Sequence, residues 1–401
     1  MLNGLPQILF LSSHLPYPPN SGGRAREYHI IQRISQEYDI TLVVLSKTYE
    51  QDTANRHHLL KYCRDIAVFP ATDALSTAPS LRARFPLDMI RNMNDGAKAY
   101  ISDFLQRGEA DIVHVEGYYL MHLLPTDTGV PVLLTEQNIE YTLWEQKNSY
   151  EMDARKRTFN RQQYALTYRY ETEAWRKSDV CITITQNDRR YIRELLPEKA
   201  LAVVPNGIDH LKGSDSTPAV LPSVKRPMLV YVGNYGWMPN VDAALYFCSD
   251  ILPLVLKRIP NACVYFIGND PPNALRRLAN EQIMVTGWVD SLQSYLAQAD
   301  LFVCPMRVGG GIAVKMLEAL FLHKAIVSTS VGMVGFSENI TECILVRDDP
   351  AEFADAVVSL LQSEEARKSL EQKTYEFIEK MPDWDQAVTR LKDCYSMVIS
   401  Q

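Results

Sequence analysis

The sequence at residues 301–329 reads LFVCPMRVGGGIAVKMLEALFLHKAIVST. It predicts a strand ending at Cys304, a turn with three consecutive glycines, a helix over 312–322 and another strand over 325–328. An apolar strand that leads through a glycine turn and a helix into the next apolar strand is typical of a parallel sheet covered on both faces. This stretch therefore predicts an α/β fold.

The same alternation extends outward from this stretch over the whole chain. Strands are predicted at 7–12, 40–45, 66–69, 111–115, 132–135 and 180–183, and again at 228–232, 264–267, 283–285, 301–304, 325–328 and 344–346. Helices are predicted at 23–37, 241–257, 292–298 and 312–322. Because the pattern restarts at Met228, after a polar stretch at 213–226, we expect two Rossmann-like, doubly wound domains, 1–210 and 211–383, facing a cleft.

Composition narrows the class of protein. The 401 residues carry 41 Lys and Arg against 48 Asp and Glu, a net charge of −7, which argues against binding nucleic acid mainly through its phosphates. No uncharged apolar run approaches the roughly 18 residues of a spanning helix, and the opening Met1–Leu5 lacks the positive start of a secretory signal. We expect a soluble, cytoplasmic protein.

The cysteines favour a reduced protein. There are seven, an odd number, and they form no C-x-x-C pair. This spacing disfavours a disulfide framework or a structural zinc site, and most of the cysteines stand in apolar runs where a thiol acts as a small hydrophobe.

The turn after Cys304 has the residue types of a diphosphate site. Glycine N–H groups and a helix N-terminus bind phosphate oxygens, while Arg307 and Lys315 supply full charges. Glu318, one helical turn after Lys315, has a carboxylate suited to sugar hydroxyls. The alternative is a solvated Arg307 and an ordinary surface ion pair. The apolar neighbours of Glu318 and the run of glycines favour the phosphate site over that alternative.

Two common nucleotide motifs are absent from the sequence. Neither G-x-G-x-x-G after a strand nor G-x-x-x-x-G-K-[ST] occurs, so nicotinamide and P-loop binding lose support.

The loop 16–24, PYPPNSGGR, places Gly22 and Gly23 just before a helix, where the backbone could approach a ligand; a structural turn is the alternative. His14 stands beside this loop, within reach of an acceptor, whereas His114 reads as a core residue of a strand.

Five segments together resemble glycosyltransferase family 4, a group of retaining enzymes with the GT-B architecture. They are PYPPNSGGRAREYHI (16–30), VVPNGID (203–209), VYVGNYGWMPNVDAALYF (230–247), VTGWVDS (285–291) and PMRVGGGIAVKMLEAL (305–320) followed by AIVSTSVGMVGF. The resemblance is strongest to the branch associated with polysaccharide and exopolysaccharide gene clusters. It also implies that a C-terminal helix, at about 384–401, crosses back to the first domain.

The resemblance assigns roles to individual residues. The donor, a nucleotide diphospho-sugar, would be bound by Arg307, Lys315, Gly310, Gly311, Glu318, Gly233, Asn234, Trp288 and Val289, with Gly22 and Gly23 closing on its phosphate. Arg307 and Lys315 would be the catalytic cations, and Glu318 would bind the ribose hydroxyls. On the acceptor side would lie Glu116, Gln137 and Asn138, in addition to His14. This chain departs from many family members, which carry Glu at the position of Gly310, often His at that of Gln137, and cations in the loop 234–240.

The function implied is transfer of a sugar to the hydroxyl of a carbohydrate, lipid-linked or small-molecule acceptor, with retention and without a cofactor. The departing phosphate would act as the base, and no metal is expected. Asp383-Trp384-Asp385, the only D-x-D in the sequence, reads better as a helix N-cap. The alternatives are a nucleotide-sugar epimerase or a phosphorylase on the same architecture, and a noncatalytic sugar-nucleotide-binding protein.

The segment 151–177 interleaves basic and aromatic residues. One hypothesis makes it a platform for an anionic acceptor or for peripheral contact with the inner face of the membrane. A solvated helix that packs its aromatic side chains inward is favoured, because Glu151, Asp153, Glu171 and Glu173 dilute the positive charge.

Overall fold

The computed structural model describes residues 4–208 and 224–399, without the side chain of Glu338. Outside these ranges lie Met1–Asn3 of the opening, Asp209 of the VVPNGID segment, most of the polar stretch 213–226, the expected boundary at 210/211 and the last two residues. The chain divides into two compact units, Met1–Gly207 with Pro382–Gln401 and Ile208–Met381. Each unit contains a parallel sheet with helices between its strands, which confirms the predicted two-domain, Rossmann-like α/β fold.

The first unit is built on a sheet of seven parallel strands within residues 4–208. They are β1 (Gln7–Ser12), β2 (Asp39–Ser46), β3 (Asp65–Pro70), β4 (Ile112–Glu116), β5 (Val132–Glu136), β6 (Val180–Thr183) and β7 (Ala200–Val203), in the order β3-β2-β1-β4-β5-β6-β7. The sequence pattern missed β7. Its four residues, ALAV, form an edge strand and include two alanines, which have little strand propensity.

Helices cover both faces of this sheet. They are α1 (Gly22–Ile34), α2 (Tyr49–Asn55), α3 (Pro79–Arg82), α4 (Leu87–Arg91), α5 (Asp95–Gln106), α6 (Glu140–Tyr150), α7 (Ala154–Lys177) and α8 (Gln186–Leu195), with 3₁₀ turns at Arg56–His58 and Tyr118–Leu123. Ile8 and Phe10 of β1 pack on the α1 side, and Leu9 and Leu11 pack on the other face. In α7 the indole of Trp175 is fully buried, as expected, but Tyr168 remains exposed.

The second unit has six parallel strands within residues 224–381. They are β8 (Met228–Val232), β9 (Cys263–Ile267), β10 (Ile283–Gly287), β11 (Leu301–Cys304), β12 (Ile326–Ser328) and β13 (Leu345–Val346), in the order β10-β9-β8-β11-β12-β13. All five residues of β8 are buried, because helices cover both faces of a parallel sheet. The six strands predicted for this half are all present, with ends shifted by at most two residues.

The helices of the second unit are α9 (Met238–Tyr246), α10 (Leu252–Leu256), α11 (Asn273–Arg276), α12 (Leu292–Gln298), α13 (Val314–Phe321), α14 (Pro350–Gln362) and α15 (Glu364–Ile378), with 3₁₀ turns at Val331–Met333 and Glu338–Glu342. The single helix predicted at 241–257 is interrupted by a π turn at Phe247–Ile251. Pro253 follows that turn, and a proline has no N–H for a regular α-helical bond. Helix α13 begins two residues later than predicted, because Ala313 is still extended.

The last helix, α16 (Trp384–Ile399), belongs to the first unit and packs against α1. The rings of Trp384 and His29 stack with centroids 5.3 Å apart. Asp383 Oδ1 accepts the N–H of Gln386 at 2.7 Å, which confirms its predicted N-cap role. A Cβ at Gly207 would lie 2.2 Å from the Trp384 nitrogen, so this contact requires glycine.

The seven cysteines are unpaired, and all except Cys248 are buried. Among the described residues, no helix is both long enough and apolar enough to cross a membrane.

Candidate functional site

The second unit offers a site at the point where its strand order reverses. Strand β8 lies between β9 and β11, so the connections that follow β8 and β11 diverge to opposite sides of the sheet. Ligands of doubly wound sheets bind at the carboxyl ends of strands at such a point. Gly233 and Asn234 follow β8, and the turn 305–313 follows β11.

The turn after β11 presents unpaired backbone donors. The N–H groups of Gly310 and Gly311 donate to no acceptor in the described part of the chain, and Gly311 has a positive φ of 59°. Ala313 occupies the N-cap of α13, so no side chain accepts the first N–H groups of that helix. An uncapped helix N-terminus behind free glycine N–H groups suits an anion.

The ammonium group of Lys315 donates to neutral partners. Its Nζ donates to the Tyr231 hydroxyl at 2.9 Å and to Asn240 Oδ1, and Met306 Sδ lies 3.8 Å away. Burial lowers the pKa of Lys315 from 10.5 to about 8, although nearby Cys304 and Glu318 act to raise it. The ammonium therefore has no anionic hydrogen-bond partner within the described chain, and a bound anion would stabilise it.

Glu318 lies one turn along α13 and is partly exposed. Burial raises the pKa of its carboxyl group from 4.5 to about 7, while the charge of Lys315 acts to lower it. The carboxyl group can accept hydrogen bonds from hydroxyl groups whether or not it is protonated.

Arg307 already has an anionic partner. Its Nε and Nη2 donate to the two carboxylate oxygens of Asp242 at 3.0 and 2.6 Å, and its guanidinium carbon lies 4.4 Å from the centroid of the Tyr246 ring. Burial alone would lower the pKa of Arg307, but hydrogen bonding and the charge of Asp242 raise it above its ordinary value. Arg307 is therefore bound to α9, whereas Lys315 is not paired with a carboxylate.

The loops after β8 and β9 pack by direct backbone approach. Asn240 Nδ2 donates to the Asn234 carbonyl at 2.8 Å, and a Cβ at Gly233 would lie 2.8 Å from Asn240 Cγ. A Cβ at Gly268 would lie 1.9 Å from the Gly233 carbonyl oxygen. Gly233 and Asn234 are thus linked through Asn240 to Lys315.

The structure places Trp288 and Val289 after β10, two strands from β8. Trp288 is 61% exposed, and Gly287 before it has a φ of 73°. These two predicted donor residues lie at the edge of the sheet rather than among the partners of Lys315.

Sequence reasoning missed Tyr231, Asn240 and Asp242. Tyr231 stands inside an apolar strand and reads as a core residue, Asn240 reads as the last residue of the loop 234–240, and Asp242 reads as a polar position of the helix predicted at 241–257. The only available signal was the quoted segment 230–247, which contains all three.

The first unit brings together most of its predicted site residues where its own strand order reverses, between β1 and β4. His14 Nε2 lies 3.1 Å from Glu27 Oε1, and Gln137 Nε2 donates to Glu116 Oε2 at 3.1 Å. A Cβ at Gly23 would lie 3.2 Å from both Gln137 Oε1 and His14 Cε1. Glu27, which sequence reasoning also missed, is 1% exposed.

The buried side chain of His114 contacts this cluster and links it to neighbouring elements. His114 is fully buried, as predicted, with Nδ1 2.5 Å from the Tyr395 hydroxyl and Nε2 2.8 Å from Thr135 Oγ1. Its Nε2 also lies 3.1 Å from Glu116 Oε1. Burial acts to raise the pKa of Glu116, but hydrogen bonding and charge from His114, with the charge of Arg26, lower it below its ordinary value. Glu116 is therefore held as a carboxylate.

The two remaining predicted residues lie at helix starts. Gly22 is the first residue of α1, and Asn138 Nδ2 donates to Glu140 Oε1 at 3.2 Å. Burial, with the charge of Asp88, raises the pKa of Glu140 to about 7. Among the described residues, no three His, Cys, Asp or Glu side chains are grouped so that they could hold a metal ion.

Two family models match the chain. The model described as Glycosyltransferase Family 4 matches residues 28–211, and the model described as Glycosyl transferases group 1 matches residues 226–363. A curated relative, an uncharacterized 44.6 kDa protein in the cps region of Klebsiella pneumoniae, is 22% identical over 403 residues, covering 94% of this chain and 96% of the relative.

Solved structures share the fold over nearly the whole length. Sucrose-phosphate synthase from Thermosynechococcus elongatus has a TM-score of 0.68 at 14% identity, covering 98% of this chain and 99% of its own. WaaG, a glycosyltransferase involved in lipopolysaccharide biosynthesis, has a TM-score of 0.67 at 12% identity, with coverage of 98% and 99%. Anabaena HepE in complex with UDP has a TM-score of 0.64 at 13% identity, with coverage of 98% and 100%.

Proposed function

The chain belongs to the family 4 glycosyltransferases, and on that premise we propose that it transfers a sugar from a nucleotide diphospho-sugar to an acceptor hydroxyl, with retention of configuration. The observation that carries the proposal is Lys315, a cation with neutral hydrogen-bond partners beside the uncapped N-terminus of α13. A diphosphate would supply the missing negative charge.

The proposed chemistry follows from these groups. As the bond between the anomeric carbon and the diphosphate breaks, negative charge grows on the leaving oxygen, and Lys315 with the N–H groups of Gly310 and Gly311 would stabilise it. The acceptor oxygen bonds to the anomeric carbon on the same face. The departing phosphate takes the acceptor proton, so the reaction requires no protein nucleophile.

We further propose that the reaction proceeds without a metal ion, because Lys315 and the backbone donors can offset the charge of the leaving group. Activity retained in excess chelator is the expected result. Complete loss that is reversed by adding a divalent cation would contradict it.

A screen of nucleoside diphosphates by calorimetry tests the donor class. One neighbouring structure, that of HepE, contains UDP, which makes UDP the first probe. We expect one nucleoside diphosphate to bind, and its affinity to fall when Lys315 is replaced. If none binds, the proposed donor class is wrong.

Incubation with nucleotide-sugars separates the alternatives. Release of the nucleoside diphosphate supports a transferase, and an epimerised nucleotide-sugar without release supports an epimerase. Binding without turnover on any acceptor supports a noncatalytic protein.

For the acceptor we propose the first-unit cluster of His14, Glu116 and Gln137, with Asn138 nearby, because carboxylate, amide and imidazole groups suit the hydroxyls of a carbohydrate. A lipid-linked acceptor and peripheral contact with the membrane stay predictions. Co-sedimentation with anionic vesicles tests that contact, and no binding at low salt would remove it.

A further inference from the structure

Arg307 is joined to two residues of α9 on one face of that helix. Asp242 and Tyr246 are four residues apart, so their side chains are neighbours on the helix surface. The guanidinium lies in a bidentate pair with the Asp242 carboxylate and against the Tyr246 ring. Only 29% of the Arg307 side chain and 22% of the Asp242 side chain are exposed, so solvent screens the pair less than an open surface pair.

We propose that Arg307 is a positioning residue, which with Asp242 fastens the start of the glycine turn to α9 and leaves the diphosphate to Lys315 and the backbone N–H groups. This inference rests on the proposed function, because it assumes that the turn binds a diphosphate. It changes the role of Arg307 from a ligand of the phosphate to a support for the groups that bind it.

The first argument is that the turn needs an anchor. Three consecutive glycines permit a wider range of backbone conformations at 309–311 than other residues would, since each lacks the side chain that restricts φ and ψ. The residues just before them are held: Thr329 Oγ1 donates to the Met306 carbonyl at 2.5 Å, and Arg307 binds Asp242. Both contacts fix the point from which the free N–H groups of Gly310 and Gly311 extend.

The second argument compares the free-energy cost for Arg307 and for Lys315 of exchanging their present partners for a diphosphate. To reach a diphosphate, Arg307 would give up two charge-assisted hydrogen bonds and leave the Asp242 carboxylate without its cation. Lys315 would give up only neutral partners, among them the Tyr231 hydroxyl, which also lies 3.2 Å from Asn240 Oδ1 and so keeps an acceptor. Lys315 is therefore the cation that an incoming phosphate captures at lower free-energy cost.

A double-mutant cycle tests the proposal. The affinity for UDP, or for whichever nucleoside diphosphate binds the wild type in the screen, is measured by calorimetry for Asp242→Asn, Arg307→Ala and the double variant. If the Arg307–Asp242 pair acts by positioning the glycine turn, each single change weakens nucleoside diphosphate binding by about threefold to tenfold. The double variant then binds no more weakly than either single variant. If Arg307 instead contacts the phosphate, Arg307→Ala weakens binding while Asp242→Asn leaves it unchanged or tighter, and the proposal is overturned.

Arg307→Lys adds a second comparison. Lysine keeps the charge but has neither the planar fork nor the same stacking surface. We expect it to bind the nucleoside diphosphate as weakly as Arg307→Ala. An affinity close to that of the wild type would show that only the charge of Arg307 matters for binding, and it would contradict the positioning role.

Hydrogen exchange separates this inference from the proposed function, because it needs no ligand. We expect the amides of residues 308–313 to exchange faster in Asp242→Asn and at the wild-type rate in Asp355→Asn. Asp355 is a matched control in the same unit, paired with Arg258 at 2.5 Å on the surface. If no nucleoside diphosphate binds the wild type, the proposed function is wrong. If amide exchange at residues 308–313 is unchanged in Asp242→Asn, the positioning role of Arg307 is wrong.

Discussion

Lys315 of α13 and Tyr231 of β8 lie 84 residues apart in the sequence and meet through a 2.9 Å hydrogen bond from Nζ to the phenolic oxygen. Asn240 of α9 completes the contact from a third element. The bond joins the helix after β11 to the neighbouring strand, at the place where the strand order reverses. It holds a cation at the position where a doubly wound sheet binds its ligand.

Replacing Lys315 tests its contribution to nucleoside diphosphate binding and, separately, its contribution to the free energy of unfolding. We expect Lys315→Met to weaken nucleoside diphosphate binding by about tenfold to a hundredfold, because a charge-assisted contact is lost. The free energy of unfolding should fall by about 1–2 kcal/mol, because the ammonium gives up two hydrogen bonds to neutral acceptors and no carboxylate loses a hydrogen-bonded partner. Calorimetry and urea unfolding measure the two quantities.

The control is Lys324→Met in the same unit. Lys324 Nζ donates to the carbonyls of Ala297 and Ala299 at 2.8 and 3.2 Å. Its loss should lower the free energy of unfolding by about 1–2 kcal/mol and leave the affinity unchanged. Equal loss of affinity in both lysine variants would show that Lys315 has no special role.

The pKa of Lys315, about 8, predicts how binding depends on pH. A bound anion favours the ammonium form and raises this pKa, so binding above pH 8 takes up a proton. The affinity should therefore fall by up to about tenfold per pH unit as the pH rises above 8, and this fall should be absent in Lys315→Met. Calorimetry in two buffers with different heats of ionisation counts the protons; no uptake at about pH 9 in the wild type would contradict the assignment.

Gly268 is predicted to be irreplaceable. A Cβ there would lie 1.9 Å from the carbonyl oxygen of Gly233, and the φ of 136° is unfavourable for other residues. We expect Gly268→Ala to lower the free energy of unfolding by at least about 3 kcal/mol, because backbone must move. Gly287→Ala is the matched control: its φ is 73° but nothing lies within 4 Å, so only about 1 kcal/mol of backbone strain is expected. Similar losses in urea unfolding would contradict the steric explanation.

The contact between Tyr395 and His114 predicts a contribution of α16 to the first unit. Tyr395→Phe removes the hydroxyl group 2.5 Å from His114 Nδ1 and leaves that buried nitrogen without a partner. We expect a loss of about 1–3 kcal/mol in the free energy of unfolding. Tyr375→Phe, at a position 47% exposed, should change it by less than about 0.5 kcal/mol. A Tyr395→Phe variant as stable as the control would show that the hydroxyl is not needed.

Most of the fold could be predicted because its signals are local. Runs such as 228–232 are uniformly apolar, and strands buried on both faces require this wherever they stand in the sheet. The edge strand β7 was missed because partial exposure relaxes that requirement. The π turn at Phe247–Ile251 was missed because it leaves the apolar pattern of the helix nearly unchanged.

The candidate site was predicted only in part. The glycine turn, Lys315 and Glu318 form one continuous segment, so their spacing in the sequence already indicates a phosphate site. Their partners could not be found in this way. Asp242 lies 65 residues before Arg307, and nothing in the local sequence indicates that its carboxylate meets that guanidinium.

The sequence by itself determined the two parallel sheets, the glycine turn and the types of charge placed beside it, because periodicity and turn chemistry act over a few residues. Only the tertiary structure decided which of the two cations stands without a carboxylate. That depends on how β8, α9 and α13 pack together, since a guanidinium beside Asp242 is neutralised, whereas an ammonium among Tyr231, Asn240 and Met306 is not.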